Sequence, residues 1–355
     1  MDYQKKLELL AGKVENPDKK YSNMAQQKLD GLTKPAGSLG RLEELAKQVA
    51  GITSSLCPVL DKKYIFTMAA DHGVVAEGIS AYPSEVTPQM VYNFLSGGAA
   101  INVLAKHIGA EVVVVDMGVA CDLKISDSLI IKKIGYGTKN ISKGPAMTLE
   151  EAAASVIAGI EIVQEYATRG AKIIGTGDMG IGNTTSSSAI VSVIAEVNAE
   201  TVTGYGTGLD DKGLLHKIKV IEKSININNP DNKNGLDILS KIGGFEIGGI
   251  AGLVIGAAYM KIPVVIDGFI SGAGAMIAQS ICPKSREYMI ASHQSVEKGH
   301  KIMMDTLGIK PLLNLGMKLG EGTGAALGIN LTEASVKILN EMATFKDAGV
   351  SDKSS

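Results

Sequence analysis

Two carboxylates set among glycines are the residues of this chain best placed to do chemistry. Glu321 lies in Leu315-Gly-Met-Lys-Leu-Gly-Glu-Gly-Thr-Gly-Ala-Ala326, with glycine on both sides and an alanine-rich segment after it. A carboxylate so flanked is open to a ligand from either side. Beside Met317 and Leu319 it can be partly desolvated, which raises its pKa toward the range of an effective general base. Spacing alone equally permits a solvent-facing glutamate in a turn. Asp178 lies in Ala171-Lys-Ile-Ile-Gly-Thr-Gly-Asp-Met-Gly-Ile-Gly-Asn-Thr-Thr185, which reads as a buried strand emptying into a glycine loop that opens a helix. Gly175, Gly177, Gly180 and Gly182 remove the Cβ atoms that would block an anion. Asn183, Thr184 and Thr185 are placed to cap the helix, whose N-terminal N–H groups would point at a phosphate.

The lettering of this loop also excludes chemistries. Gly177 to Thr184 fits the spacing G-x-x-x-x-G-K-[ST], except that Asn183 stands where a lysine would reach the outer phosphates of a triphosphate. Gly175, Gly177 and Gly180 spell G-x-G-x-x-G, yet the next helix runs into Asn198-Ala-Glu-Thr-Val-Thr-Gly204 without a second strand ending in a ribose-binding acid. A nicotinamide-dependent oxidoreductase is therefore the weaker alternative. A nucleotide-binding sensor without chemistry, or a purely structural turn, also accounts for the loop alone.

Other polar residues carry weaker signals. Asp71-His72-Gly73 and Asp267-Gly268 follow apolar runs, where an aspartate fixes a loop as readily as it binds a hydroxyl, and His72 reads as a structural hydrogen-bonding group. His107, His216, His293 and His300 show no zinc-ligand spacing, so no metal or cofactor is expected. Ala81-Tyr-Pro-Ser-Glu-Val-Thr-Pro-Gln-Met90 suits one wall of a pocket for a flat apolar ligand, and equally a loop before a core helix. Lys217 and Ser295 are candidate phosphate donors, although a lone lysine is usually a solvated charge.

The elements that must position these residues alternate between β-branched runs and helical patterns. Tyr64 to Met68, Glu111 to Asp116, Lys172 to Gly175 and Ile262 to Asp267 read as buried parallel strands whose ends converge on one crevice. The predicted class is α/β, a Rossmann-like parallel sheet flanked by helices. Residues 1–50 and about 331–355 are expected to form a small helical domain beside a large domain of 51–330. The glycine-spaced apolar run Ile247 to Met260 reads as a helix pressed on the sheet, and its 14 residues fall short of the roughly 20 that span a bilayer.

Composition narrows the field further. The 355 residues carry a formal charge of −2 and 4% aromatics, which gives neither electrostatic attraction nor stacking platforms for nucleic acid, and no pull toward an anionic membrane. Three widely spaced cysteines form no C-x-x-C and read as packing residues of a reducing compartment. Charges run through the first ten residues where a signal peptide would be apolar, so the expected location is the cytoplasm.

Taken in order, Lys34-Pro-Ala-Gly-Ser-Leu-Gly-Arg-Leu-Glu, Ala70-Asp-His-Gly-Val, Gly177-Asp-Met-Gly-Ile-Gly-Asn-Thr-Thr, Leu239-Ser-Lys-Ile-Gly-Gly-Phe-Glu, Asp267-Gly-Phe and Leu319-Gly-Glu-Gly-Thr-Gly-Ala-Ala resemble the nicotinate-nucleotide:dimethylbenzimidazole phosphoribosyltransferase family of cobalamin synthesis. The resemblance is collinear over nearly the whole chain. It implies a homodimer that transfers the phosphoribosyl group of nicotinate mononucleotide to 5,6-dimethylbenzimidazole, giving α-ribazole 5′-phosphate and nicotinate. By the same resemblance Glu321 matches the general base, and Asp178 stands where relatives often carry glutamate, with a reach one methylene shorter. Gly177, Gly180, Asn183, Thr184, Lys217, Asp267 and Ser295 are expected around the nucleotide. Pro83, Ser84, Gln89, Met90 and Leu319 are expected around the acceptor base.

Overall fold

The computed structural model describes residues 2–126, 128–206 and 208–351. Its centre is a six-stranded sheet: β1 (Lys63–Ala70), β2 (Ala110–Gly118), β3 (Leu129–Ile131), β4 (Ile173–Met179), β5 (Val264–Ile266) and β6 (Met289–Ala291). All neighbours pair in parallel, in the order β3-β2-β1-β4-β5-β6. The chain winds outward one way from β1 and then returns to start again at β4, so the carboxyl ends of β1 and β4 form the switch point where such sheets hold ligands.

The central strands are apolar on both faces because helices cover both. Along β1, Phe66, Met68 and Ala70 join one core, while Ile65 and Ala69 join the other. The first core is built mainly on the helices Leu149–Thr168, Phe245–Met260 and Phe269–Ile281. The second takes in Val86–Leu95, Ala100–His107 and the amino-terminal part of Thr323–Glu341.

The helix Phe245–Met260 is buried on every side through Ala258, and its glycines press mainly on another helix rather than on the sheet. A Cβ at Gly252 would lie 2.0 Å from the Val156 carbonyl oxygen, and one at Gly159 would lie 2.1 Å from that of Gly249. Only Gly249 turns toward a strand residue, Met117. Backbone contact at this range fills the core with main chain instead of branched side chains.

The terminal segments divide. Helix Tyr3–Gly12 packs on Leu149–Thr168, with Leu7 in the main core. Helices Lys19–Asp30 and Arg41–Thr53 instead share Ala25, Leu29, Leu32, Ala46, Ala50 and Leu339 with the far end of Thr323–Glu341. That last helix begins at Thr323, well before the expected start near 331, so one helix joins the site to this small cluster. Cys282 is buried as expected of a packing residue, whereas Cys57 and Cys121 are exposed. Among the described residues no helix is long and apolar enough to cross a membrane.

Candidate active site

A cavity of about 520 Å³ opens at the carboxyl ends of β4, β5 and β6, within the range that holds small-molecule ligands. Its wall carries Asp178, Gly180, Asn183, Thr184, Ser295, Leu319 and Glu321, which are the sequence-predicted residues the fold does bring together. A cavity of about 660 Å³ beside the first helix is larger, but Lys233, Asn234, Cys282 and Pro283 on its wall make no comparable cluster of carboxylates. Chemistry, not volume, picks out the first.

One side of this cavity is the start of helix Asn183–Ile194. Strand β4 runs on to Met179, so Gly175 and Gly177 lie within the sheet, and the turn is only Gly180-Ile181-Gly182. Gly182 is the N-cap, at φ +95°, with no side-chain cap, so Asn183, Thr184 and Thr185 do not cap as expected. Asn183 Nδ2 instead donates to Asp178 Oδ2 at 3.0 Å, and Thr184 Oγ1 accepts from Lys217 Nζ at 2.7 Å. Lys217, on helix Asp211–Asn228, is almost fully buried, and burial lowers its pKa to about 8 against the opposing pull of Glu297. A cation and a helix N-terminus together suit an anionic group.

Beneath the turn lies His72. Its Nε2 is 2.6 Å from Glu246 Oε1 and its Nδ1 is 3.2 Å from Ser186 Oγ, all buried. A Cβ on Gly180 would lie 2.3 Å from the Ala70 carbonyl oxygen, so glycine there lets the turn rest on the end of β1. His72 is a structural hydrogen-bonding group, as its sequence suggests. Asp71 likewise serves the loops, accepting from the Ala120 N–H at 2.8 Å. Of the four strand endings expected in the crevice, those of β1 and β2 thus stay behind the wall.

The opposite side is the loop before Thr323–Glu341. Gly320, Glu321 and Gly322 have φ of +81°, +65° and +98°. Glu321 is buried, with Oε2 unpartnered, and its pKa is raised to about 7, first by burial and then by the charge of Asp267, against the N–H of Ile101. Asp178 is buried and held well above the usual carboxylate range, by burial and then by Asp267 and Glu246. Its Oδ1 has no partner.

The other expected residues are placed differently. Asp267 is a candidate nucleotide ligand by sequence, but its carboxylate accepts from the N–H groups of Gly322, Gly324 and Ala325. Gly177 backs onto the Glu321 main chain. Pro83, Ser84, Gln89 and Met90 lie off the cavity wall, with Pro83 and Gln89 exposed and Met90 packed on the second core. Their neighbour Tyr82 lines the cavity instead. So do Phe269, His293, Glu297 and Lys318, which the sequence reading missed. The loop bearing Ser295 and Glu297 is held by His300, whose Nδ1 accepts from Gln294 and from the Ser295 N–H, and whose pKa burial lowers to about 3.

A doubly wound parallel sheet that sets a buried lysine and a helix N-terminus against a desolvated carboxylate defines an α/β enzyme for an anionic ligand. A family described as phosphoribosyltransferase matches residues 14–350. The chain is 55% identical over 344 residues to the nicotinate-nucleotide–dimethylbenzimidazole phosphoribosyltransferase of Geobacter sp. (strain M21), covering 97% of this chain and 99% of that one. It is 53% identical over 336 residues to the enzyme of the same name from Chloroflexus aggregans, covering 95% of each. The crystal structure of the Thermus thermophilus enzyme of that name superposes with a TM-score of 0.90 at 41% identity, over 95% of this chain and 100% of that one. The chain belongs to the nicotinate-nucleotide–dimethylbenzimidazole phosphoribosyltransferase family.

Proposed function

We propose that this enzyme transfers the phosphoribosyl group of nicotinate mononucleotide to 5,6-dimethylbenzimidazole with inversion at the anomeric carbon, giving α-ribazole 5′-phosphate and nicotinate, and that Glu321 is the general base. The observation that carries this reading is a carboxylate with a pKa near 7 on the wall of a cavity whose other side suits a phosphate. The leaving ring is a cationic pyridinium that departs as a neutral nitrogen, so no acid has to protonate it. This separates the reaction from glycoside hydrolysis, where two carboxyl groups share the work. Glu321 takes the N–H proton of the benzimidazole while the other ring nitrogen attacks. Asp178, whose burial favours the protonated form, ionises more readily once a cationic ring or an oxocarbenium-like ribosyl group lies beside it, and then stabilises that charge. The homodimer implied by the family resemblance belongs to the same reading.

The test is to incubate the protein with nicotinate mononucleotide and dimethylbenzimidazole and to follow both products by chromatography with mass detection. Nicotinate released in step with an α-ribazole phosphate is the expected result. Nucleotide binding without any product across a panel of bases would reject the transfer.

Lys217 supplies a separate check on the phosphate side. Lys217→Met removes one charge-assisted hydrogen bond, worth about 1.5–3 kcal/mol, so calorimetry should show nicotinate mononucleotide binding weakened roughly 10- to 100-fold. Unchanged affinity would take Lys217 out of the phosphate subsite.

A further inference from the structure

We propose that Asp267 and Thr67 are positioning residues for Glu321: Asp267 pins the loop through its carboxylate and charge, and Thr67 pins it through the Glu321 carbonyl. The inference rests on reading Glu321 as the base. Asp267 follows β5, and its Oδ2 accepts from the Gly322 N–H at 3.0 Å. Its Oδ1 accepts from the N–H groups of Gly324 at 2.7 Å and Ala325 at 3.1 Å. These donors are the N-cap and first turn of helix Thr323–Glu341, and the N-cap itself is a glycine with no side chain to offer. The cap comes from another strand end instead, 55 residues away in the chain. From the other side Thr67, on β1, donates Oγ1 to the Glu321 carbonyl oxygen at 3.1 Å.

The two flanks of Glu321 are thus fixed by two different strands. The residue needs it, because at φ +65° it holds a left-handed conformation that side chains other than glycine rarely adopt. Were the backbone free to relax into an ordinary region, the carboxylate would turn away from the cavity. Among the described residues, the hydrogen bonds of the Thr67 hydroxyl and the Asp267 carboxylate all go to this loop and helix start.

The residues differ in charge, and this separates their effects. The charged or titratable groups around Glu321 are Asp267 after β5, Asp178 on β4, and His293 after β6. Glu297 and Lys318 lie on the same wall, and the N–H of Ile101 opens the helix behind it. Asp267 raises the Glu321 pKa, and His293 offsets part of the charge of Asp267. Thr67 adds no charge, so its removal changes position alone.

The experiment compares kcat, nucleotide KM and the pH dependence of kcat/KM in the wild type, Thr67→Val, Asp267→Asn, Asp267→Glu and Glu321→Gln, with circular dichroism to verify folding. Thr67→Val is expected to lower kcat roughly five- to tenfold, the loss of one neutral hydrogen bond, with the nucleotide KM kept and the acid limb unmoved. Asp267→Asn is expected to lower kcat roughly 100-fold and to move the acid limb to lower pH, because a negative charge beside the base is gone. Asp267→Glu keeps the charge, so kcat falls while the limb stays. A folded Asp267→Asn with an unmoved limb, or Thr67→Val with wild-type kcat, overturns the proposal. Should Asp267→Asn not fold, Thr67→Val and Asp267→Glu decide it by the same kcat losses. A Glu321→Gln enzyme as active as the wild type would instead remove the base assignment; an inactive one beside a fully active Thr67→Val overturns the positioning alone.

Discussion

Glu321→Gln is expected to bind nicotinate mononucleotide as the wild type does and to lose roughly 100-fold or more in kcat, the usual consequence of deleting a general base. The substitution keeps the shape and leaves the opposite side of the cavity untouched, where Asn183 and Thr184 line the wall and Lys217 lies behind Thr184, hydrogen-bonded to its hydroxyl. In the wild type a base must be unprotonated to work, so kcat/KM should rise with pH through the free enzyme's Glu321 pKa of about 7 and fall away below it. The variant should lose that limb. Stability should move the other way. A carboxyl group whose pKa is raised on folding binds its proton more tightly in the folded state, so its penalty is absent below the ordinary glutamate pKa and grows as pH rises through about 7. At mildly alkaline pH the glutamine enzyme should therefore melt no lower than the wild type, and probing it there separates lost chemistry from lost fold. Calorimetry, steady-state rates and thermal melts decide the matter; a glutamine variant with near-normal turnover would remove Glu321 as the base.

The sequence revealed what was local and concealed what was not. Strands β1, β2, β4 and β5 show as β-branched runs because burial on both faces leaves no polar alternation. Strands β3, β5 and β6 are three residues each, but β5 lies inside the longer apolar run Ile262 to Ile266, whereas Leu129–Ile131 runs directly into Lys132 and Met289–Ala291 into Ser292, so no pattern rises above the surrounding chain. The end of β4 is misleading for a physical reason. Gly175-Thr-Gly-Asp-Met179 looks like loop because glycine is poor in strands, yet Gly175 and Gly177 are where a helix and a loop from the end of the chain lie on the sheet. Glu321 and Asp178 stand out in the sequence because a glycine precedes each, and the fold sets both on the cavity wall. His293, Glu297 and Lys318 carry no motif of their own; their one signal was proximity to Ser295 and Leu319, already singled out. Asp267 shows the limit most clearly: an aspartate after a strand looks like a ligand, and nothing in local spacing says that it caps a helix starting at Thr323.

Gly177→Ala turns that difference into a measurement. If Gly177 made room for a phosphate, the added methyl would weaken nucleotide binding. In the structure its Cβ would lie 2.4 Å from the Glu321 carbonyl oxygen, 2.7 Å from its carbon and 2.8 Å from the Gly322 nitrogen. These are backbone atoms and cannot rotate aside. Ordinary contact begins at 3.4 Å, so β4 and the Glu321 loop must part by about 1 Å. A displacement of that size at a reacting group costs on the order of 100-fold in rate, and overpacking costs about 1–3 kcal/mol in stability. The expected result is a folded enzyme of lower Tm with kcat down roughly 100-fold and nucleotide affinity little changed. Gly175→Ala is the control, since its methyl would meet Ala325, Ile329 and Ile65 at 3.0–3.3 Å, where the isoleucine side chains can rotate and the Ala325 helix has only a few tenths of an ångström to shift. That variant should lose stability and keep most of its turnover. A Gly177→Ala enzyme with weakened nucleotide binding and normal kcat at saturation would place an anion, not the Glu321 loop, against this glycine.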